Sequence, residues 1–287
     1  MTDPIHQEQQ ERRRLTESLL ASPAYLTAYE DPALMHRPEL RPIRMYMEFI
    51  KPELAQTAQN IHSTVVVFGS ARTLPPGVAA RQLEQARAEA ECKPDDPVLR
   101  EELRRAVKRV EQSRFYAIAR DFARIASAAS QTPEECDFVI VTGGGPGIME
   151  AGNRGAHDAG AKSIGLNIQL PFEQEPNPFI TPELCFNFRY FGIRKMHFLM
   201  RAKALVVCPG GFGTMDELFE TLTLIQTRKV PRVPIILVGR AFWEKVLNLP
   251  ALAEEGLICN ADLDLIEYAE SAEETWEKIR AYWRARA

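Results

Sequence analysis

Residues 204–229 read ALVVCPGGFGTMDELFETLTLIQTRK, and the hydrophobic period changes in the middle of them. ALVVC is a short apolar run rich in β-branched residues, as expected of a strand buried on both faces of a parallel sheet. PGGFGT ends it. Pro209 cannot continue a ladder, and Gly210, Gly211 and Gly213 permit positive φ and close approach of a ligand to the backbone. From Thr214 the pattern is helical, with Met215, Leu218, Phe219, Leu222 and Ile225 as the core stripe and Thr214 at the cap. The stretch therefore predicts strand, glycine turn, helix. Such a turn collects unpaired N–H groups and the positive end of a helix dipole, and its preferred guest is a phosphate.

Two carboxylates follow at once. Asp216 reads equally well as a complement to the helix dipole. Glu217 lies off the apolar stripe on the side facing the turn, with Glu220 one helical turn further on, placed to reach the sugar of a nucleotide whose phosphate occupies the loop. A carboxylate there suits chemistry that passes through an oxocarbenium-like cation.

The same grammar recurs upstream. In residues 137–161 a strand, FVIVT, leads into Gly143, Gly144, Gly145, Pro146 and Gly147, and a helix carrying Ile148 and Met149 follows. A dinucleotide fingerprint started at Gly145 and Gly147 fails, because its third glycine falls on Glu150; no GK[ST] follows either turn, so a P-loop fails as well. Two phosphate-type turns without either fingerprint point to a nucleoside monophosphate or sugar phosphate. An earlier strand, TVVVFGSAR at 64–72, puts Gly69, Ser70 and Arg72 where a ligand meets the carboxyl ends of strands in open α/β sheets. Arg194 and Lys195 open a helix just before residue 204. A cationic pair there opposes the dipole, which favours a functional placement. His197 on the same helix reads as structural, and Cys208 as a small buried apolar residue. Further βα units follow to the end, with a loop at 171–184 and a helix at 241–256 among their parts, so the fold class is α/β, a Rossmann-like doubly wound parallel sheet with right-handed crossovers.

Two segments fall outside that alternation. Residues 1–60 look helical, lack a strand and cannot make a core of their own, so this N-terminal arm is expected to pack on the main domain, 61–287, or on a partner subunit through Tyr46, Met47, Phe49 and Ile50. Residues 77–114, dense in Arg, Glu and Lys, read as a solvated helical hairpin or a substrate lid inserted in the first crossover. A separate helix at 115–130 returns to the sheet.

With 287 residues, 45% hydrophobic, the chain can bury a sizeable core. A formal net charge of −4 gives no footprint for nucleic acid or an anionic membrane, and no apolar run is long enough for a membrane span. The five cysteines stand far apart, and neither they nor the histidines show metal-ligand spacing. A cytoplasmic protein without cofactor or metal is expected, taking a small-molecule nucleotide as substrate, with neither nucleic acid nor membrane as partner.

At this point residues 64–240 resemble the LOG (Lonely Guy) family, long labelled possible lysine decarboxylases. The most specific mark is PGGxGTxxE, here Pro209 through Glu217. Others are the RK pair, Arg194 and Lys195, and the GGG turn with its GxM, ending at Met149. The resemblance implies hydrolysis of the N-glycosidic bond of a nucleoside 5′-monophosphate to free base and ribose 5-phosphate. It also implies Arg194 and Glu217 as the catalytic pair, a phosphate held by the backbone of 209–214, and a homo-oligomer. The arm, the charged insertion and Glu150 make this chain look more like the longer bacterial members that act as AMP or general nucleotide nucleosidases than like those acting on cytokinin precursors. Two other readings remain, a non-catalytic nucleotide or cofactor carrier of the same fold and a pyridoxal-phosphate lysine decarboxylase. The latter needs a Schiff-base lysine and an acidic partner for the pyridinium.

Overall fold

The computed structural model describes residues 4–132, 135–171 and 175–286. The chain divides into two units, Met1–Ile50 and Lys51–Ala287. The first holds α1 (Pro4–Leu20), the single turn α2 (Pro32–Met35) and the start of α3 (Arg41–Ala58), with no strand among its described residues. Asp31 caps α2, accepting from the Leu34 N–H at 3.0 Å, and Pro32 stands at its first position. The Arg44 guanidinium donates to the carbonyls of Met35 and Arg37, fixing the start of α3 against the turn before it.

The second unit is built on seven parallel strands in the order β4-β3-β2-β1-β5-β6-β7. They are β1 (Thr64–Phe68), β2 (Val139–Thr142), β3 (Ser163–Ile168), β4 (Cys185–Phe188), β5 (Ala202–Val207), β6 (Ile235–Val238) and β7 (Ile266–Ala269). The connecting helices are α4 (Pro76–Cys92), α5 (Pro97–Ser130), α6 (Ile148–Asp158), α7 (Phe191–Leu199), α8 (Phe212–Gln226), α9 (Arg240–Val246), α10 (Leu249–Glu254) and α11 (Asn260–Leu263), and α12 (Ala272–Arg284) closes the chain. The order runs outward from β1 to β4, then restarts on the other side of β1 with β5. That reversal leaves a crevice between the carboxyl ends of β1 and β5, where open α/β sheets bind ligands. This is the doubly wound α/β fold expected from the sequence.

Every residue of β1 is buried, as a strand covered on both faces requires. Val65 and Val67 pack with Phe122 of α5, Ile148 of α6 and Trp276 of α12; Val66 and Phe68 pack with Phe198 of α7, Leu218 of α8 and Trp243 of α9. Burying each such side chain contributes about 1.5–3 kcal/mol, so the two layers hold the strand ends rigidly. Trp243 has its polar edge satisfied as well, with Nε1 donating to the Val238 carbonyl at 3.1 Å.

The structure corrects four local expectations. The second half of the charged insertion, from Pro97, and the helix expected at 115–130 are one helix, α5, 34 residues long; the first half is the separate helix α4. Asp96 caps it and Pro97 opens it, and the chain carries no breaker before Phe115. The helix expected over 241–256 is two, because Asn248 caps a new start, accepting from the Ala251 N–H, with Pro250 in its first turn. Helix α8 begins at Phe212 with Gly211 at the cap, so Thr214 sits inside the first turn. On that helix the buried residues are Thr214, Leu218, Thr221 and Ile225; Met215 and Leu222 flank them, and Phe219 is exposed. The loop read at 171–184 is described except for residues 172–174, which lie outside the described residues.

Candidate functional site

Three turns meet at the β1/β5 crevice and are bonded to one another. The Ser70 N–H donates to the Pro209 carbonyl at 3.0 Å, and the Ile148 N–H donates to the Ser70 carbonyl at 3.1 Å. The cleft they enclose has a volume of 790 Å³. Of the residues singled out in the sequence, Gly69, Ser70, Gly143, Met149, Arg194, Gly210, Gly211, Gly213, Thr214 and Glu217 line it. A larger cavity of 1080 Å³ lies at the far end of α8, away from the carboxyl ends of the central strands.

Not every glycine uses the freedom that the sequence permits. Gly210, Gly211 and Gly213 do not take positive φ; Gly144 and Gly147 do, at 75° and 71°. Gly210 is required by packing, since a Cβ there would collide with Thr214 Oγ1. Around Gly211 and Gly213 a Cβ would meet nothing, so their missing side chains leave open space in the cleft beside the first turn of α8. That space and the unpaired N–H groups of the helix start suit an anion.

Gly144, Gly145, Gly147, Lys195, Pro209 and Glu220 do not line the cleft. The carbonyls of Gly144 and Gly145 both accept from Asn177 Nδ2 at 3.1 Å, and Gly147 caps α6 against the backbone of Ser70 and Ala71. These glycines shape the turn from behind. Glu150, the residue that breaks the dinucleotide fingerprint, accepts from the Tyr116 hydroxyl at 2.6 Å. Burial and this carboxylate push the tyrosine up to about 12.

Arg194 comes from α7 and is held from three sides. Its Nε donates to the Leu166 carbonyl at 2.7 Å, its guanidinium lies 5.1 Å from the Phe198 ring centroid, and the bare Cα of Gly143 leaves room for Nη2. Burial lowers its pKa, with Glu217 pulling the other way; from its high ordinary value an arginine so placed stays cationic. Lys195, the next residue, turns outward to Asp216 at 2.8 Å and Glu220 at 3.1 Å. Asp216 thus makes an ion pair beyond any dipole role, and Glu220 is a tether for Lys195. His197 is buried beside Phe188, as its structural reading expects.

Glu217 projects from the first turns of α8 into the cleft. Burial drives its pKa up to about 7, while Arg194 and Lys195 pull it down and Asp216 and Glu220 add to the rise. Two effects compete, and desolvation wins. A carboxyl poised near neutrality, beside a cation and an anion-accepting turn, is equipped for acid, base or charge-stabilising work.

Sequence reasoning missed the apolar wall of the cleft, which includes Ile168, Phe198, Val246 and Leu247. No spacing marks these residues, since each reads as ordinary core. It also missed Asn177, a buried amide that ties the GGG turn to Asn153 (2.9 Å). An asparagine inside a proline-rich loop was the available signal.

Among the described residues, no three His, Cys, Asp or Glu side chains are grouped to hold a metal ion, and no helix is long and apolar enough to cross a membrane.

Comparison with known proteins agrees with the sequence resemblance. Residues 149–279 match the family described as possible lysine decarboxylase. The chain is 26% identical over 148 residues to the cytokinin riboside 5′-monophosphate phosphoribohydrolase LOG3 of Arabidopsis thaliana, covering 50% of this chain and 67% of that protein. It is 25% identical over 153 residues to the probable cytokinin riboside 5′-monophosphate phosphoribohydrolase LOGL3 of Oryza sativa subsp. japonica, covering 50% and 68%. Among solved structures, an X-ray structure of the structural-genomics target TM1055 is similar at 18% identity and a TM-score of 0.45, covering 76% of this chain and 99% of that one. A molybdenum cofactor binding protein from the phototrophic bacterium Rippkaea orientalis is similar at 20% identity and a TM-score of 0.42, covering 58% and 87%.

Proposed function

We propose that this relative of the LOG phosphoribohydrolases hydrolyses the N-glycosidic bond of nucleoside 5′-monophosphates, AMP or a related nucleotide. The observation that carries the reading is a half-buried carboxyl, Glu217, sharing one cleft with a fixed guanidinium, Arg194, and the open glycine turn at the start of α8.

The 5′-phosphate sits at the 209–214 turn, where the α8 dipole and free N–H groups receive it, and this fixes the ribose. Arg194 balances the phosphate charge and favours the ionised form of Glu217. As the bond between C1′ and the base nitrogen breaks, the electron pair leaves with the base and positive charge grows on the ribose. The Glu217 carboxylate stabilises that charge. Water adds to C1′, a proton is delivered to the base, and ribose 5-phosphate and free base leave.

The lysine decarboxylase label fits this site poorly. Lys195 is held by Asp216 and Glu220, which push its pKa up against the effect of burial. Imine formation needs the opposite, an amine kept neutral.

A homo-oligomer is part of the same reading, supported by Phe191, Met196 and Met200, large apolar side chains exposed on and just after α7. A cytoplasmic setting is supported by five free thiols.

The test is incubation of the purified protein with AMP or adenosine and chromatography of the products. Adenine with ribose 5-phosphate, and a kcat/KM for AMP at least 100-fold above that for adenosine, is expected from a site organised around a phosphate. Saturable AMP binding without adenine release would favour a carrier. Equal rates on the two substrates would remove the phosphate turn from the mechanism.

A further inference from the structure

A second cavity, 730 Å³ in volume, adjoins the cleft on the side of the phosphate turn. Five cationic residues line it: Arg72 after β1, and Arg104, Arg105, Lys108 and Arg109 from the charged half of α5. Among the described residues, no carboxylate lines it. Ser70, Arg72 and Gly210 border both this cavity and the cleft, so the two spaces are neighbours at the turn.

Part of this charge is balanced locally. Arg104 and Arg105 share Glu101 at 2.8 and 2.9 Å, Lys108 reaches Glu111 at 2.6 Å, and Arg109 reaches Glu102 at 2.7 Å. Those three carboxylates leave the five cations in excess by two. Arg72 has no side-chain partner among the described residues. Pairs at helical spacing would occur on any solvated helix. Helical spacing alone does not explain why the cationic side of α5 shares a cavity with the Pro209 and Gly210 backbone and with an unpaired arginine from another element.

We propose that this cavity is a second anion subsite, which receives the next phosphoryl group of a nucleotide whose first phosphate sits at the 209–214 turn. The inference rests on the nucleotide reading of the cleft and extends it to nucleoside 5′-diphosphates as ligands. A phosphoryl group added to the first projects away from the ribose, and here it leaves the turn toward arginines able to grip its oxygens in pairs. The insertion in the first crossover thereby acquires a role that neither a solvated hairpin nor a lid supplies.

Calorimetric titration with ADP and AMP tests this in a Glu217→Gln background, which stops AMP being consumed during the titration, on the otherwise wild-type protein, on Arg105→Gln/Lys108→Gln, and on Arg105→Lys. Arg105 and Lys108 line only the second cavity, and both are 62% exposed, so their pairs add little to stability and the variants should fold. ADP should bind the otherwise wild-type protein roughly tenfold more tightly than AMP, one per chain, and AMP should displace it. The double variant should lose about tenfold or more in ADP affinity while AMP affinity changes less than about twofold; Arg105→Lys, which keeps the charge, should lose much less.

Unchanged ADP affinity in the double variant overturns the proposal, as does an equal loss for AMP. ADP bound alongside AMP would make the cavity a separate anion site and overturn it too. The readout needs no turnover. A protein that binds ADP through Arg105 and Lys108 yet, with Glu217 intact, fails to cleave AMP refutes the reaction and leaves the subsite standing, whereas cleavage of AMP with ADP binding indifferent to these residues does the reverse.

Discussion

Arg194 occupies the space that a side chain on Gly143 would need: a Cβ built there stands 2.7 Å from Nη2 of Arg194 and 2.7 Å from Sδ of Met149. The first glycine of the GGG turn therefore makes room for a cation. Gly143 does not have a positive φ, so the backbone accepts alanine and the strain falls on the Arg194 guanidinium and the Met149 thioether. Gly143→Ala should lower kcat/KM for AMP by about 10- to 100-fold, the scale on which a misplacement near 1 Å acts, while the melting temperature moves little. Steady-state kinetics beside a thermal melt measure both. An unaltered kcat/KM would mean that the position of Arg194 is immaterial.

Glu217 gives the reaction its pH dependence. Burial holds its carboxyl at about 7. If the ionised form stabilises the ribose cation, kcat/KM rises with pH and levels off above about 7, because that parameter follows the free enzyme. A profile that falls through the same pH would make Glu217 the acid that protonates the base. The step should vanish in Glu217→Gln.

The same shift has a sign in stability. Glu217 in the folded chain keeps its proton from about 4.5, its unperturbed value, up to about 7. Its contribution to stability is thus fully present below the lower value and lost as pH rises through the upper one, where a buried charge must form. Glu217→Gln should raise the melting temperature relative to wild type at pH 8 and not at pH 4. Roughly 2–4 °C per kcal/mol is the scale for a protein of this size. Identical differences at both pH values would show that Glu217 ionises freely.

Asp216 is the neighbouring control. Its carboxylate is 57% exposed and shares Lys195 with Glu220, which stays in place if Asp216 is lost. Exposed pairs contribute about 0–1 kcal/mol, so Asp216→Asn should change kcat by less than about fivefold. A larger loss would move the chemistry one position along α8.

What the sequence showed and what it concealed divide along physical lines. Strands β1, β2 and β5 were legible because burial on both faces leaves only apolar residues to read, and the glycine turns were legible because they interrupt those runs. Arg194 conflicted with the dipole of its own helix, and that conflict pointed to the cleft. The unity of α5 was hidden, since the ion pairs of its first half resemble those of a separate hairpin. Thr214 was placed at a cap because a hydroxyl favours that position; the structure starts the helix two residues earlier and uses Thr214 to pack on Gly210. The raised pKa of Glu217 arises from burial between elements far apart in the chain, and no local pattern carries it.

The most direct test of the account is kcat for Glu217→Gln on AMP, measured beside the affinity of the same variant for ribose 5-phosphate. Glutamine keeps the volume and removes the charge. Because Glu217 is assigned to stabilise the cation and not to hold the phosphate, kcat should fall about 10²- to 10³-fold, and ribose 5-phosphate should bind as tightly as to wild type or more tightly. A near-normal kcat, or a loss confined to ribose 5-phosphate binding, would contradict the assignment of the chemistry to this carboxylate.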